Sequence, residues 1–210
     1  MCLVIALSVG LVTSASASAA QRATDSATAG GPARSGPAAG GATGTVGSVS
    51  KSGFTLTTSA GQKVTVDKAS STKYQKGTGS ISASAITKGK RVLVLGTSSG
   101  TTIKATRVIV QTTGGSAPTS AATVIAFKRG APTTSKKAGK VPANYSQGSG
   151  TIVSGTTANK ATEAALAAYP GGVVDRVVKL SNGEYEVHNI GVNWPHHIFV
   201  NKDFKVVGAE

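Results

Sequence analysis

Short apolar and polar stretches, broken by glycine-containing turns, run from residue 44 to residue 113. Residues 45–50 and 54–58 flank the turn Lys51-Ser52-Gly53, and residues 63–67 follow Ala60-Gly61. In that third run Val64 and Val66 alternate with polar neighbours, as a half-buried strand requires. Residues 91–96 (RVLVLG) are more continuously apolar and follow the turn Lys88-Gly89-Lys90. Residues 103–111 (IKATRVIVQ) supply a last long strand after Ser99-Gly100. No part of this region carries helical periodicity. Five or more short strands predict a small barrel or sandwich, because closing a sheet removes or shortens exposed edges.

The pattern changes at residue 158. Residues 159–169 (NKATEAALAAY) are rich in alanine, with Leu166 and Tyr169 three apart, and predict a short helix. Pro170-Gly171-Gly172 ends it, since proline opposes continuation and glycine frees the turn. Residues 173–180 then run as a strand to Ser181-Asn182-Gly183, where Asn-Gly is the strongest short hairpin signal. Residues 184–190 return with Tyr185 and Val187 on one face; 197–201 form a third strand, Lys202-Asp203 turns, and 204–207 close the module. The expected fold is mainly β: a five- to six-stranded barrel, then a small α+β module with one helix on a three- to four-stranded antiparallel sheet.

The flanking segments predict an address and two connectors. Residues 2–12 (CLVIALSVGLV) followed by TSASASAA fit the apolar core and small-residue cleavage site of a signal peptide over 1–20. The apolar run is well short of the roughly 20 residues needed to span a membrane. Export to the cell exterior or cell wall is therefore expected. Residues 21–43 hold no large apolar side chain and predict a flexible tether, because such a stretch cannot repay the entropy of ordering. Residues 114–157, rich in Gly, Ser, Thr and Pro, predict a second linker, in which 123–127 (TVIAF) could add an edge to a neighbouring module.

Charge sharpens this picture. The net charge of +14 is uneven: residues 44–113 carry ten Lys/Arg against Asp67 alone, and residues 114–157 carry five basic residues and no acid. Residues 158–210 are nearly balanced, with five basic and six acidic residues. A cationic front half is drawn to polyanions such as wall phosphopolymers in a salt-dependent way, although scattered lysines can equally serve solubility. The single cysteine, Cys2, lies in the expected leader, so the mature chain has no disulfide framework, thiol nucleophile or zinc cluster available to it.

Two resemblances attach to these motifs. The first module resembles a small exported bacterial β-barrel family of unknown function, through GTVGSVS (44–50), FTLT (54–57), KVTVD (63–67), KGKRVLVLG (88–96) and IKATRVIV (103–110). The resemblance implies an OB-like barrel and export, with no chemistry. The final fifty residues resemble the PepSY family through YPGG (169–172), VVDRVVKL (173–180), NGEYEVH (182–188) and IFVNKDFKVVG (198–208). That resemblance implies a module that contacts or restrains an extracellular peptidase. The loop 191–196 (GVNWPH) departs from the pattern.

Candidate chemistry is sparse. His196 and His197 are adjacent, and on a strand they would point to opposite faces, which opposes a shared metal ion. His188 with one of them, and Glu186 on the same face as His188, is the remaining geometric possibility for a metal. No nucleophile elbow or phosphate loop stands out. No cofactor, no metal site, no catalytic residue and no converging set of reactive groups are expected, so the reading is of a non-enzyme. Trp194, His188, His196, His197 and Tyr185 are the candidate partner-binding residues. For Trp194 two roles stand open: an exposed anchor for a partner, or a cover over the open side of a small sheet. Nucleic acid is not expected, because single-strand binding needs stacking aromatics and the barrel offers only Phe54 and Tyr74. The expected function is an exported, non-catalytic binding or regulatory protein, contacting a peptidase or, alternatively, held at the surface by its charge.

Overall fold

The computed structural model describes residues 36–111, 124–132 and 134–210. The expected leader, the tether before residue 36 and linker residues 112–123 lie outside the described residues.

The first module begins with β1 (Ala38–Val49), β2 (Gly53–Thr57) and β3 (Lys63–Asp67). It continues through β4 (Lys73–Lys76), β5 (Gly79–Ser80), a three-residue 3-10 turn at Ala83–Ala85, β6 (Arg91–Ser99) and β7 (Thr102–Val110). Antiparallel pairs join β1 to β2, β2 to β3, β6 to β7 and β1 to β6, while β3 runs parallel to β7. Five strands therefore close into a barrel. Alternation does the sorting: Val64 and Val66 of β3 point inward, joining Val46, Leu56, Val92, Val94, Ile103 and Val108 in one buried cluster. All eight are at most 1% exposed.

Short strands β8 (Ile125–Ala126), β9 (Ala138–Gly139) and β10 (Thr151–Ile152) precede helix α1 (Gly155–Ala168). The remainder is β11 (Val173–Lys179), β12 (Tyr185–Ile190), β13 (Val192–Trp194), β14 (His197–Val200) and β15 (Val206–Ala209). Strands β11, β12, β14 and β15 pair in that order, all antiparallel. Val177, Val187 and Ile198 are register partners and share a buried cluster with Ala158, Ala161, Ala165 and Leu166 of α1. Alanine at these positions lets the helix lie close to the sheet. No helix among the described residues is long and apolar enough to cross a membrane.

Three boundaries differ from expectation. Strand β1 starts at Ala38, inside the stretch whose composition predicted a tether. Its small residues answer to close packing: a Cβ on Gly40 would stand 2.0 Å from the carbonyl oxygen of Val174, and one on Gly44 2.1 Å from Leu56 Cδ1. Helix α1 starts at Gly155 instead of residue 159. The last strand starts at Val206 instead of residue 204, because Phe204 sits in the left-handed region at φ 58° and keeps the turn open.

The expected linker is also part of the fold where it is described. β8 pairs with β13, β9 with β15 and β10 with β11. The two modules are joined directly. β1 pairs with β11 through Gly41↔Val174 and Ala42↔Val173, and Leu93 and Leu95 on the outer face of β6 pack in the helix cluster. Full burial of a leucine such as Leu95 stabilises by about 2 kcal/mol relative to leaving it exposed.

Candidate functional site

Strand β11 carries Asp175 and Arg176 inside a run of valines. Its pairing with β12 slips there, from Val174↔Asn189 to Arg176↔His188, leaving Asp175 as the extra residue of a bulge. His188 is in turn the register partner of His197 on β14. Because Val177, Val187 and Ile198 face the helix, the alternating residues Arg176, Glu186, His188 and His197 lie on the opposite face of the sheet.

On that face acids and imidazoles pair closely. His188 Nδ1 lies 2.6 Å from Asp175 Oδ1, and His197 Nδ1 lies 2.8 Å from Glu186 Oε1. Both imidazoles have side chains only 12% exposed, and Glu186 is buried. The hydroxyl of Tyr145 lies 2.9 Å from His197 Nδ1, and its ring meets Phe199 edge-on at 4.8 Å. Arg176 Nη1 lies 3.5 Å from Asp175 Oδ2. Lys137 Nζ reaches Glu210 at 3.3 Å. Burial pushes the Tyr145 hydroxyl well above its ordinary value, Glu186 and Glu210 add to this, and Arg176 opposes it.

His196 completes the group, with its ring centroid 6.3 Å from His188 and 6.4 Å from His197; the latter two are 5.2 Å apart. Burial depresses its pKa first, then the neighbouring His188 and His197, while Asp175 works the other way. The expectation that His196 and His197 face opposite sides of one strand is corrected here: β14 begins at His197, so His196 lies in the loop before it and escapes strand alternation. The expectation that no reactive groups converge is corrected too, since two acids, three histidines and a tyrosine gather on one face.

With Nδ1 beside a carboxylate, and in His197 beside the Tyr145 hydroxyl as well, Nε2 is the ring nitrogen each of His188 and His197 has left for a further partner. Among the described residues no three His, Cys, Asp or Glu side chains have the arrangement that holds a metal ion. A cleft of about 460 Å³ beside Pro142, Lys179 and Asn182 meets the cluster only through Tyr145. What the network does physically is hold a strap. Tyr145, Val141 and Val207 pack over Val178, Leu180 and Phe199, and β9 and β10 anchor the segment at either end. The strap and its polar pairs thus cover the outer face of the sheet.

The other candidates are placed as follows. Trp194 is 1% exposed; its indole N–H donates to the Lys136 carbonyl at 2.6 Å, and Tyr169 meets it edge-on at 5.6 Å. It takes the covering role and offers no exposed anchor. Tyr185 stacks on Phe204 at 5.6 Å and 9°, with Lys160 Nζ 5.3 Å over the Phe204 ring. Sequence reasoning missed Asp175, Arg176 and Tyr145. Two adjacent charges inside a valine strand were a visible signal for the first two; Tyr145 lay in a segment read as linker.

The barrel presents a different surface. Of its ten cations, eight are exposed, and Lys68 and Arg107 are half-buried. Among the described residues only Arg107 has an acid within ion-pair distance, Glu163 at 3.5 Å. Phe54, one of the two barrel aromatics, points into the core at 4% exposure.

No protein family, curated protein or solved structure matches this chain.

Proposed function

We propose that this chain is an exported, non-catalytic protein that attaches through its barrel to an anionic polymer outside the membrane. One observation carries the reading: nine of the ten barrel cations have no acidic partner among the described residues. Unpaired surface charge of one sign raises the local concentration of polyanions and weakens with salt. The barrel is read as OB-like, supported by the strand order β1-β2-β3-β7-β6 and the parallel β3–β7 pair. With Phe54 inside the core, the barrel lacks the stacking platform that single-stranded nucleic acid favours. The test is cosedimentation of the mature chain with isolated anionic wall polymer at increasing salt. Binding that falls steeply between low and moderate salt is expected; binding indifferent to salt overturns the reading.

The second reading keeps the PepSY-like module as a contact for a peptidase. One helix on four antiparallel strands supports that resemblance. Its partner surface is narrow, because the strap covers one face of the sheet and α1 with β6 covers the other. A pull-down from a secreted fraction with the full mature chain tests it, and recovery of no peptidase ends it.

A further inference from the structure

We propose that an open trough at one end of the barrel binds the phosphate groups of a phosphodiester-linked polyol or sugar polymer. This rests on the polyanion reading above and gives it a site.

The trough, about 630 Å³, runs between Gly47–Val49 at the end of β1 and residues 83–88, with Lys68 and Lys88 among its lining. Backbone bonds fix its two walls at the base: Gly89 N–H donates to Val46 O at 2.8 Å, and Val46 N–H donates to Lys90 O at 2.9 Å. Lys68 is held in place twice, its backbone N–H donating to Ser52 O and its Nζ donating to Ser50 O, both at 2.8 Å. Lys51 stands in the same turn, and Lys90 follows Lys88 directly across Gly89. Two lysines, Lys68 and Lys88, therefore line the opening, with Lys51 and Lys90 near them in the chain. After Asp67 the next acid in the chain is Glu163, so the segments forming the trough bring no competing carboxylate beyond Asp67 itself.

The lining suits a polymer repeat better than a small metabolite. Thr87 places a hydroxyl among the cations that can donate to a phosphate oxygen, while the Ser48 hydroxyl pairs with Thr55 and the Ser84 hydroxyl donates to Ser82. Val49, 46% exposed, gives the rim an apolar patch, and Ile86 lies buried beneath. A polyol phosphate alternates in the same way, charged groups spaced by short CH-rich segments. Lysines act as point charges and impose no bidentate geometry, which tolerates the variable phosphate orientation of a flexible chain. No aromatic side chain lines the trough, so nucleobases find nothing to stack on.

The test compares two double variants of the full mature chain that lose equal charge. K68Q/K88Q alters the trough; K63Q/K104Q alters exposed lysines on β3 and β7 that do not line it. Binding of fluorescently labelled poly(glycerol phosphate) is measured at low salt, with circular dichroism confirming that each variant folds. The trough variant is expected to bind about tenfold more weakly, because two phosphate contacts go, and the control to lose far less. V49E, which sets a carboxylate on the rim, is expected to weaken binding comparably. Equal losses in both double variants overturn the trough while leaving the polyanion reading intact. No salt-sensitive binding by the unaltered chain removes both. Tighter binding to a single-stranded oligodeoxynucleotide than to poly(glycerol phosphate) also overturns the trough's assignment.

Discussion

Leu56→Ala tests whether the barrel and the helix-bearing module unfold together. Leu56 is 0% exposed and belongs to the barrel cluster, whereas Trp194, the only tryptophan in the chain, belongs to the other. Truncating a fully buried leucine removes its transfer energy and leaves a cavity, about 3 kcal/mol in all. For a chain of this size each kcal/mol moves the midpoint by about 2–4 °C, so a fall of about 9 °C is expected. The β1–β11 pairing and the packing of Leu93 and Leu95 against α1 make the two clusters one cooperative unit. Trp194 fluorescence should therefore report the full shift, coincident with far-ultraviolet circular dichroism. A fluorescence midpoint that stays in place while the dichroism signal splits into two steps would refute the shared core.

Three further outcomes are expected. Gly40→Ala puts a Cβ 2.0 Å from the Val174 carbonyl oxygen and should cost about 2 kcal/mol in denaturant unfolding, while Gly36→Ala, with nothing within 4 Å, should be neutral. His196 has a depressed pKa, so the folded state takes up its proton less readily than the unfolded state; its contribution is intact above the ordinary value of 6.5 and is lost as pH falls below it. Unfolding curves between pH 7.5 and 5 should accordingly flatten in His196→Gln, and an unchanged slope would count against the depressed value. Tyr145→Phe removes the hydroxyl 2.9 Å from His197 Nδ1 and should cost about 1 kcal/mol. It should also delete the latest-titrating phenol in an alkaline absorbance titration, since burial pushes that hydroxyl up.

The barrel strands were legible because residues 54–67 and 91–110 alternate or run apolar between glycine turns, and burial enforces that period. The helix and the Asn-Gly hairpin were legible for similarly local reasons. What composition concealed was contact between distant segments. Ala38–Thr43 looks like a tether until Val94 and Val174 lie on either side of it; only then does the lack of side chains become a packing requirement. The histidine cluster was hidden because strand alternation was applied to His196, one residue outside the strand read for 197–201, and by the bulge at Asp175. Tyr145 depends on the strap, whose two-residue strands carry no sequence period of their own.

Strand β1 has a practical consequence for anyone dividing this protein. Its early residues bond on one edge to β6 and on the other to a segment more than a hundred residues downstream. A fragment ending at residue 111 would display a bare ribbon of amides and carbonyls at positions 41–42, next to the uncovered leucines of β6. Such a piece invites self-association, and the whole chain is the sensible unit for expression and crystallisation.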